Sequence, residues 1–405
     1  MSYYQMNENL SIDYLMKQGI FSETSNLTSR EVGDGNLNLV FIVKDTLSGT
    51  SVVLKQALPY VRVVGEGWPL SVERTIFEAN ALEIHNRIVP NLVPKLLHRD
   101  DELALIVMED LSHLELMRYG MMKMEKHPKF AEHISTFLAD TLFYTSDMHM
   151  SSEEKKRLVA KFINVELCKI TEDLVFTDPY YDADRNNINP RLKPYLEEVF
   201  WKKTELWLET SKLKYKFLTE AQSLIHGDLH TGSIFAGEEE TKIFDAEFAF
   251  MGPAAFDVGK IIGNIFINYV SWSGKDEDVE KIQDYRSYLI ETVKRLHRLF
   301  EKKFIENWKK DAQDISARVE GYRDQFMRNL FIDTIGYCGV VMIRRVHGLA
   351  HNIDVDGIEN LEKRRDVQVK LLELGEILIM NRHQFNNIEE VTDMLRENIE
   401  GAKNL

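Results

Sequence analysis

Cysteine is scarce in this 405-residue chain, with only Cys168 and Cys338 present. Two thiols make no disulfide scaffold, and reduced thiols in the cytoplasm are the simplest expectation. The N-terminus lacks a basic segment followed by an apolar run, so no secretory signal is expected. Long hydrophobic runs are missing too. The stretch 261–267 is apolar but too short to span a bilayer, and no membrane partner is expected. Positive charge is in deficit, with Lys and Arg numbering 50 against 65 Asp and Glu, a formal charge of −15. That balance opposes general affinity for nucleic acid or an anionic membrane, so an anionic ligand needs a local basic site. Neither internal repeats nor low-complexity tracts occur. The rest of the composition, 44% apolar and 28% charged, is ordinary for a globular protein. The length exceeds one core and suggests about two lobes.

Two short stretches carry the chemistry. Residues 224–235 hold His226, Gly227 and Asp228 between apolar flanks, and residues 241–248 repeat that layout around Asp245, Ala246 and Glu247. Such segments suit the strands of a hairpin turned at 237–240, with Asp228 and Asp245 at one mouth. Both stretches resemble protein-kinase motifs, and phosphoryl transfer, which that resemblance implies, asks the protein mainly to position groups and neutralise charge. One carboxylate must take the acceptor's hydroxyl proton, help worth roughly 10²–10⁴-fold, and Asp228 is assigned that role. Other hard oxygens must hold Mg²⁺ against the phosphates, and Asp245 and Glu247 are assigned to it. Either motif alone would also fit an ordinary turn or an exposed strand end. The two in order, at this spacing, weigh against that.

Ahead of them, residues 31–43 suit a strand, a Gly-rich turn and a strand. Gly33, Gly35, Asn36 and Asn38 are the candidates for laying backbone and amide groups over phosphates, although an ordinary hairpin turn has the same pattern. Lys55 lies near the end of an apolar strand over 51–57, placed either to bind phosphates or to reach water. Ser71 is expected to cap a helix over 72–88, in which Glu78 is the candidate partner of Lys55, with Glu73 and Glu83 as rivals. Trp68, between Gly67 and Pro69, fits a lid over a ligand and equally an anchor to the core. A buried strand over 103–108 leads into Glu109, Asp110 and Leu111.

The rest of the chain has helical periodicity, over 130–150, 153–171, 191–218 and most residues beyond Asp257. The loop 176–182 sets aromatics beside carboxylates and is expected to be solvated. Met117, Met121, Met122 and Met124 are expected to pack. Arg344 and Arg345 are adjacent in an apolar helix, where burial is costly unless they meet anions or acceptor groups. A planar guanidinium fork suits phosphate oxygens or sugar hydroxyls, while pairing with carboxylates at a helix edge fits the same spacing. His347 is expected to be a hydrogen-bonded core residue.

The stretch at His226-Gly227-Asp228 resembles the catalytic loop of protein kinases, H-R-D-L-x-x-x-N, and Asp245-Ala246-Glu247 resembles D-F-G. His-Gly-Asp is the form typical of kinases of small molecules. Ser233 replaces the loop Asn and Glu247 replaces the last Gly. Both departures, together with Arg344-Arg345, the Gly67-Trp68-Pro69 loop and Glu109-Asp110-Leu111, resemble the methylthioribose kinase family. That resemblance implies an α+β, protein-kinase-like fold. It has a small β-rich nucleotide lobe over 1–111, including a hinge, and a larger, mainly helical lobe over 112–405. It implies ATP and Mg²⁺ as cofactors and phosphorylation of the 1-hydroxyl of S-methyl-5-thioribose. The nucleotide would meet Gly33, Gly35, Asn36, Asn38, Lys55, hinge residues Glu109, Asp110 and Leu111, and Asp245-Ala246-Glu247. The sugar would meet Asp228, Arg344 and Arg345. A homodimer is implied as well. Choline-, aminoglycoside- and homoserine-type kinases share His-Gly-Asp, but the twin Arg would repel the cationic acceptors of the first two. A non-catalytic nucleotide-binding module would be expected to lose Lys55, Asp228, Asp245 or Glu247, and all four are present.

Overall fold

Five apolar residues in a row, 39–43, fill the middle of 38–45, apolar residues fill most of 51–57 and 105–109, and these segments form the centre of one antiparallel sheet. The computed structural model describes residues 3–33, 37–60, 65 and 67–401. It opens with α1 (Glu8–Lys17), β1 (Leu27–Glu31), β2 (Asn38–Asp45), β3 (Ser51–Ala57), α2 (Arg74–Ile88), β4 (Leu96–Asp100) and β5 (Leu105–Glu109). The sheet runs in the order β1-β2-β3-β5-β4. Side chains alternate between its faces. Phe41, Leu54 and Val107 are in register and pack towards α1, beside Tyr14, Leu15 and Phe21. Val40, Lys55 and Ile106 are therefore on the opposite face, where Ala79 of α2 packs on Ile106 and Met108. The pleat thus delivers Lys55 to α2.

The second lobe is mainly helical. It comprises β6 (Glu115–Leu116), α3 (Met117–Met122), α4 (Phe130–Tyr144), α5 (Ser152–Lys161), α6 (Val165–Leu174), α7 (Lys193–Glu198) and α8 (Thr204–Thr219). Four short strands follow: β7 (Ser223–Ile225), β8 (Ile234–Ala236), β9 (Thr241–Ile243) and β10 (Phe250–Gly252). The chain closes with α9 (Ala255–Ser271), α10 (Val279–Asp311), α11 (Tyr322–His347), α12 (Ile353–Asp356), α13 (Leu361–Asn381) and α14 (Ile388–Glu400). The α+β, two-lobe architecture expected from the sequence is the one observed. Every residue of α9 is buried. It crosses α11 backbone to backbone at Gly259, where an added Cβ would lie 2.5 Å from the Thr334 carbonyl oxygen. By length and composition α11 could cross a membrane, but 78% of its most apolar window is buried inside the protein. Its apolarity is spent on the core, which holds the twin Arg at its C-terminal end rigidly.

Several sequence expectations need correction. The helix predicted over 72–88 starts at Arg74, because the Ser71 hydroxyl accepts the Glu73 N–H at 3.1 Å in a turn ahead of it. The helix predicted over 130–150 ends at Tyr144, and a capping box between Ser151 and Glu154 starts α5. The helix predicted over 153–171 breaks before α6. Asn164 leaves helical dihedrals there, and its amide donates to the carbonyls of Glu247 at 2.7 Å and Ala249 at 3.2 Å. The span 191–218 breaks between α7 and α8, where Phe200 is buried in the core and the Trp201 indole N–H donates to the Pro179 carbonyl at 3.1 Å. The loop 176–182 is not solvated as a whole, since Phe176, Asp178 and Tyr180 are buried. His347 is the core residue expected, its Nε2 lying 2.7 Å from the Pro179 carbonyl oxygen. Met117 and Met121 pack in the core, as expected.

Candidate active site

The β8–β9 hairpin closes with the Gly237 N–H on the Glu240 carbonyl at 2.8 Å, and the Phe244 N–H continues it to the Ser233 carbonyl at 3.1 Å. The two motif stretches therefore lie side by side, as the sequence suggested. His226 ties them again, its Nε2 lying 2.9 Å from the Phe244 carbonyl oxygen. From α9, the Asp257 carboxylate accepts the His226 and Gly227 N–H groups at 2.6 and 3.0 Å. Gly227 has φ +78°, and a Cβ there would lie 2.2 Å from the Phe248 carbonyl oxygen. Only glycine lets the loop pass this close to the segment after Asp245.

Asp228 sits at the mouth with both oxygens engaged. Lys260 of α9 forms an ion pair with Oδ1. His230 Nε2 lies 3.3 Å from Oδ2. Burial works against the Asp228 charge, but Lys260, His230 and Arg345 outweigh it and hold the carboxyl well below its usual range. Arg345 is buried and Arg344 half-buried, and the charges of both act on Asp228. Each presents an Nη1 to the Ala350 carbonyl, at 2.8 Å from Arg344 and 3.3 Å from Arg345. Each also has a buried Nε without a hydrogen-bond partner.

The side of the cleft around Lys55 is built on carboxylates. Lys55 Nζ lies 2.8 Å from Glu78 Oε1 and also pairs with Asp245. Of the three rivals, Glu78 is thus the partner. Glu83 instead pairs with Arg99 at 3.0 Å, and Glu73 precedes the helix. Burial opposes the Lys55 charge, yet Asp245, Glu78 and Glu247 push its pKa up. Asp245 takes a left-handed conformation, φ 69°, which Asp tolerates better than most residues. Ala246 between the carboxylates packs with Ala81 and Ile84 of α2. Ligand oxygens of Glu78, Asp245 and Glu247 lie within 4.8 Å of one another. Burial first, then the neighbouring carboxylates, push Glu78 up to about 7 and raise Glu247. Three hard oxygens crowded this way fit a divalent cation, which would relieve their repulsion. Ser233 adds no oxygen to this group, because its buried hydroxyl accepts the His230 N–H at 2.9 Å within its own loop.

Three of the residues expected to meet the nucleotide already have partners within the protein. The Asn38 side chain donates to Glu247 Oε2 at 3.0 Å and accepts from Arg74 Nη2 at 3.1 Å, so it braces Glu247 instead of facing phosphates. The Glu109 N–H is bound to the Lys95 carbonyl at 3.0 Å, because β5 stays paired to its last residue, and cannot read a base. The Asp110 carboxylate accepts the Ser51 hydroxyl at 2.6 Å and the Ser112 N–H at 2.9 Å, which makes it a turn brace. Among the described residues the Leu111 N–H is left without a partner. Gly33 lies at the rim with open space around its Cα, while Gly35 and Asn36 fall outside the described residues. Trp68 packs with Leu70, Leu167, Ile170 and Phe248, an anchor between the lobes. Val64 and Glu66 of its loop fall outside the described residues.

Comparison with known proteins agrees with this geometry. Residues 28–301 match the model of the phosphotransferase enzyme family. A methylthioribose kinase of Geobacillus sp. (strain WCH70) is 42% identical over 402 residues, covering 99% of this chain and 98% of its own. That of Geobacillus thermodenitrificans (strain NG80-2) is 44% identical, covering 96% of each chain. That of Bacillus cereus (strain G9842) is 40% identical, covering 99% of each. The chain belongs to the methylthioribose kinase family. In this family member, carboxylates gather around Lys55 and cations gather around Asp228. Sequence reasoning missed four of the groups that build this methylthioribose kinase site: Lys260, His230, Arg118 and Arg74. Lys260 had a signal, as a charge inside the apolar run of α9 three residues after Asp257, and His230 stood two residues beyond Asp228. Arg74 and Arg118 had none, since their partners are distant in sequence.

Proposed function

We propose that this kinase transfers the γ-phosphoryl group of ATP to the 1-hydroxyl of S-methyl-5-thioribose, giving S-methyl-5-thioribose 1-phosphate. The observation that carries the reading is the 42% identity to a methylthioribose kinase across nearly the whole of both chains. The cations around Asp228 support it. In this mechanism Asp228 accepts the proton of the sugar hydroxyl. Arg344 and Arg345 orient the acceptor and offset the charge of the transferring group. Lys55, steadied by Glu78, meets the phosphates together with Gly33, and Leu111 reads the base; Gly35 and Asn36, expected at the phosphates as well, lie outside the described residues. Asp245 and Glu247 would hold Mg²⁺, with Glu78 beside them, and the ion would neutralise phosphate charge. Residues 1–111 act as the nucleotide lobe and 112–405 as the acceptor lobe. The cytoplasm is the matching compartment, and both cysteines are free thiols. A homodimer belongs to the same reading. Exposed Trp207, Leu208, Tyr215 and Leu218 of α8 offer an apolar face for it.

Choline-, aminoglycoside- and homoserine-type kinases are the runner-up. Cationic acceptors such as choline and aminoglycosides would meet Lys260, Arg118, Arg344 and Arg345 at the base, which disfavours them. ATP consumption with methylthioribose, choline, homoserine and an aminoglycoside tests the choice. Turnover with methylthioribose alone is expected, and faster turnover of any rival overturns the reading. The metal assignment has a separate test. Glu247→Ala should weaken cation-dependent nucleotide binding. Arg74→Met, which removes the guanidinium 3.3 Å from Glu247, should weaken it by about 10–100-fold. Calorimetry of nucleotide binding across a Mg²⁺ series, without acceptor, reads both. An unchanged Mg²⁺ dependence in Glu247→Ala removes that carboxylate from the metal site.

A further inference from the structure

Asp228 is gripped from two sides by groups that the proposed chemistry does not by itself require. Lys260 is only 2% exposed and lies in the middle of a fully buried helix. An ammonium there is costly unless paired. Besides its ion pair with Asp228, it donates to the Gly227 carbonyl at 3.0 Å. Asp257 and Lys260 are three residues apart on α9 and so share one face of it. The first binds the N–H groups of His226 and Gly227, the second the Gly227 carbonyl and the Asp228 carboxylate. One turn of a rigid helix therefore grips the whole His-Gly-Asp stretch.

On the other side, His230 has a defined tautomer. Its Nδ1 faces the Gly232 N–H at 2.9 Å and Arg118 Nη2 at 3.1 Å, both donors. Nδ1 must then accept, and the ring proton sits on Nε2, which faces Asp228 Oδ2. An added Cβ on Gly232 would lie 2.9 Å from Arg118 Cζ and from His230 Cε1, so the three groups are closely packed. Burial pushes His230 down to about 3 and Lys260 down to about 8, in each case against the pull of Asp228. At neutral pH the ring is thus neutral and the amine charged. The groups facing Asp228 are Lys260 from α9, His230 from its own loop, Arg118 of α3 behind it, and Arg344 and Arg345 from α11.

We propose that Lys260 and His230 form a two-sided clamp that fixes the Asp228 carboxylate in its reacting position and keeps it ionised, with Arg118 setting the His230 tautomer. Lys260 and His230 are positioning residues, acting through Asp228. The inference rests on Asp228 being the base. With both oxygens held, their remaining lone pairs keep one direction for the acceptor hydroxyl, and a misplacement of about 1 Å can cost 10²-fold.

Lys260→Met should lower kcat by about 10²-fold with the KM for ATP unchanged. Losing the nearest cation should also raise the acid limb of kcat/KM by about 1–3 pH units. His230→Gln, whose amide can still donate to Asp228, should keep most of the activity that His230→Ala loses. A fall in thermal midpoint with an unmoved acid limb in Lys260→Met, or equal activity in the two His230 variants, overturns the clamp. If Lys260→Met does not fold, the His230 pair decides. A readout without any acceptor separates this inference from the proposed function. In protein with nitrogen-labelled histidine, the resonances that vanish in His230→Gln should show a bare Nδ1, a protonated Nε2 and no titration in the neutral range. The opposite tautomer, or titration there, overturns the clamp whatever the substrate proves to be. Wild-type protein inert towards methylthioribose but showing that tautomer would overturn the acceptor assignment alone.

Discussion

Asp228→Asn is expected to abolish turnover, a loss of about 10²–10⁴-fold or more, while leaving ATP binding close to wild type. The amide has no basicity to take the sugar proton. It also cannot satisfy both neighbours, because Lys260 and the His230 Nε2–H are both donors. One amide oxygen serves one of them, and the amide nitrogen sets a donor against the other. Lys260 is then left buried without its counter-charge, which costs at most the 3–5 kcal/mol or so typical of a broken buried pair. ATP binding is spared because Lys55, Glu78, Asp245 and Glu247 are joined to one another and not to Asp228. Rapid-quench turnover and calorimetric ATP binding on the same variant check both halves. Near-normal turnover would remove Asp228 as the base, and lost ATP binding would mean that the two sides of the cleft are not independent.

What the sequence revealed follows from the range of each interaction. The β8–β9 hairpin was legible because its strands are adjacent and its turn is short. The Lys55–Glu78 pair was one of three the sequence left open, and it was settled only where the sheet register sets Lys55 against α2. The break between α5 and α6 was not legible. The apolar spacing continues through it, and the cause is an Asn164 amide drawn to the carbonyls of Glu247 and Ala249, more than eighty residues away. The loop 176–182 looked solvated by composition, yet Phe176 and Tyr180 anchor it in the core. Asn38 and Glu109 were expected to meet the nucleotide, and their polar groups are taken within the protein by Glu247 and Lys95. Arg74 and Lys260 follow the same rule. A buried charge declares that it must have a partner, but sequence cannot say which carboxylate provides it.

Arg344→Lys should lose about 10²–10³-fold in kcat with little change in thermal midpoint, and the accompanying rise in KM should fall on the acceptor rather than ATP. The reason lies in how the pair is held. Helix α11 is fixed in the core by its crossing with α9, so its C-terminal end cannot drift. The Ala350 carbonyl takes Nη1 of each guanidinium and sets the orientation of both forks. The Nε–H groups are then left buried with no protein acceptor. An unsatisfied buried donor costs about 1–3 kcal/mol, a cost that a fork turned to sugar hydroxyls or a transferring phosphoryl group beside Asp228 would recover. Lysine keeps the charge but has no Nε–H and no planar fork, so it loses the orientation without losing the electrostatic field. Arg344 is half-buried at the cleft wall and can be changed with little harm to the core. Arg345 is buried, so Arg345→Lys should lower both activity and thermal midpoint. Steady-state kinetics varying each substrate in turn, with melting curves on the same preparations, separates the two positions. Wild-type acceptor KM and kcat in Arg344→Lys would remove the fork from acceptor recognition and reopen the case for a different sugar or amine.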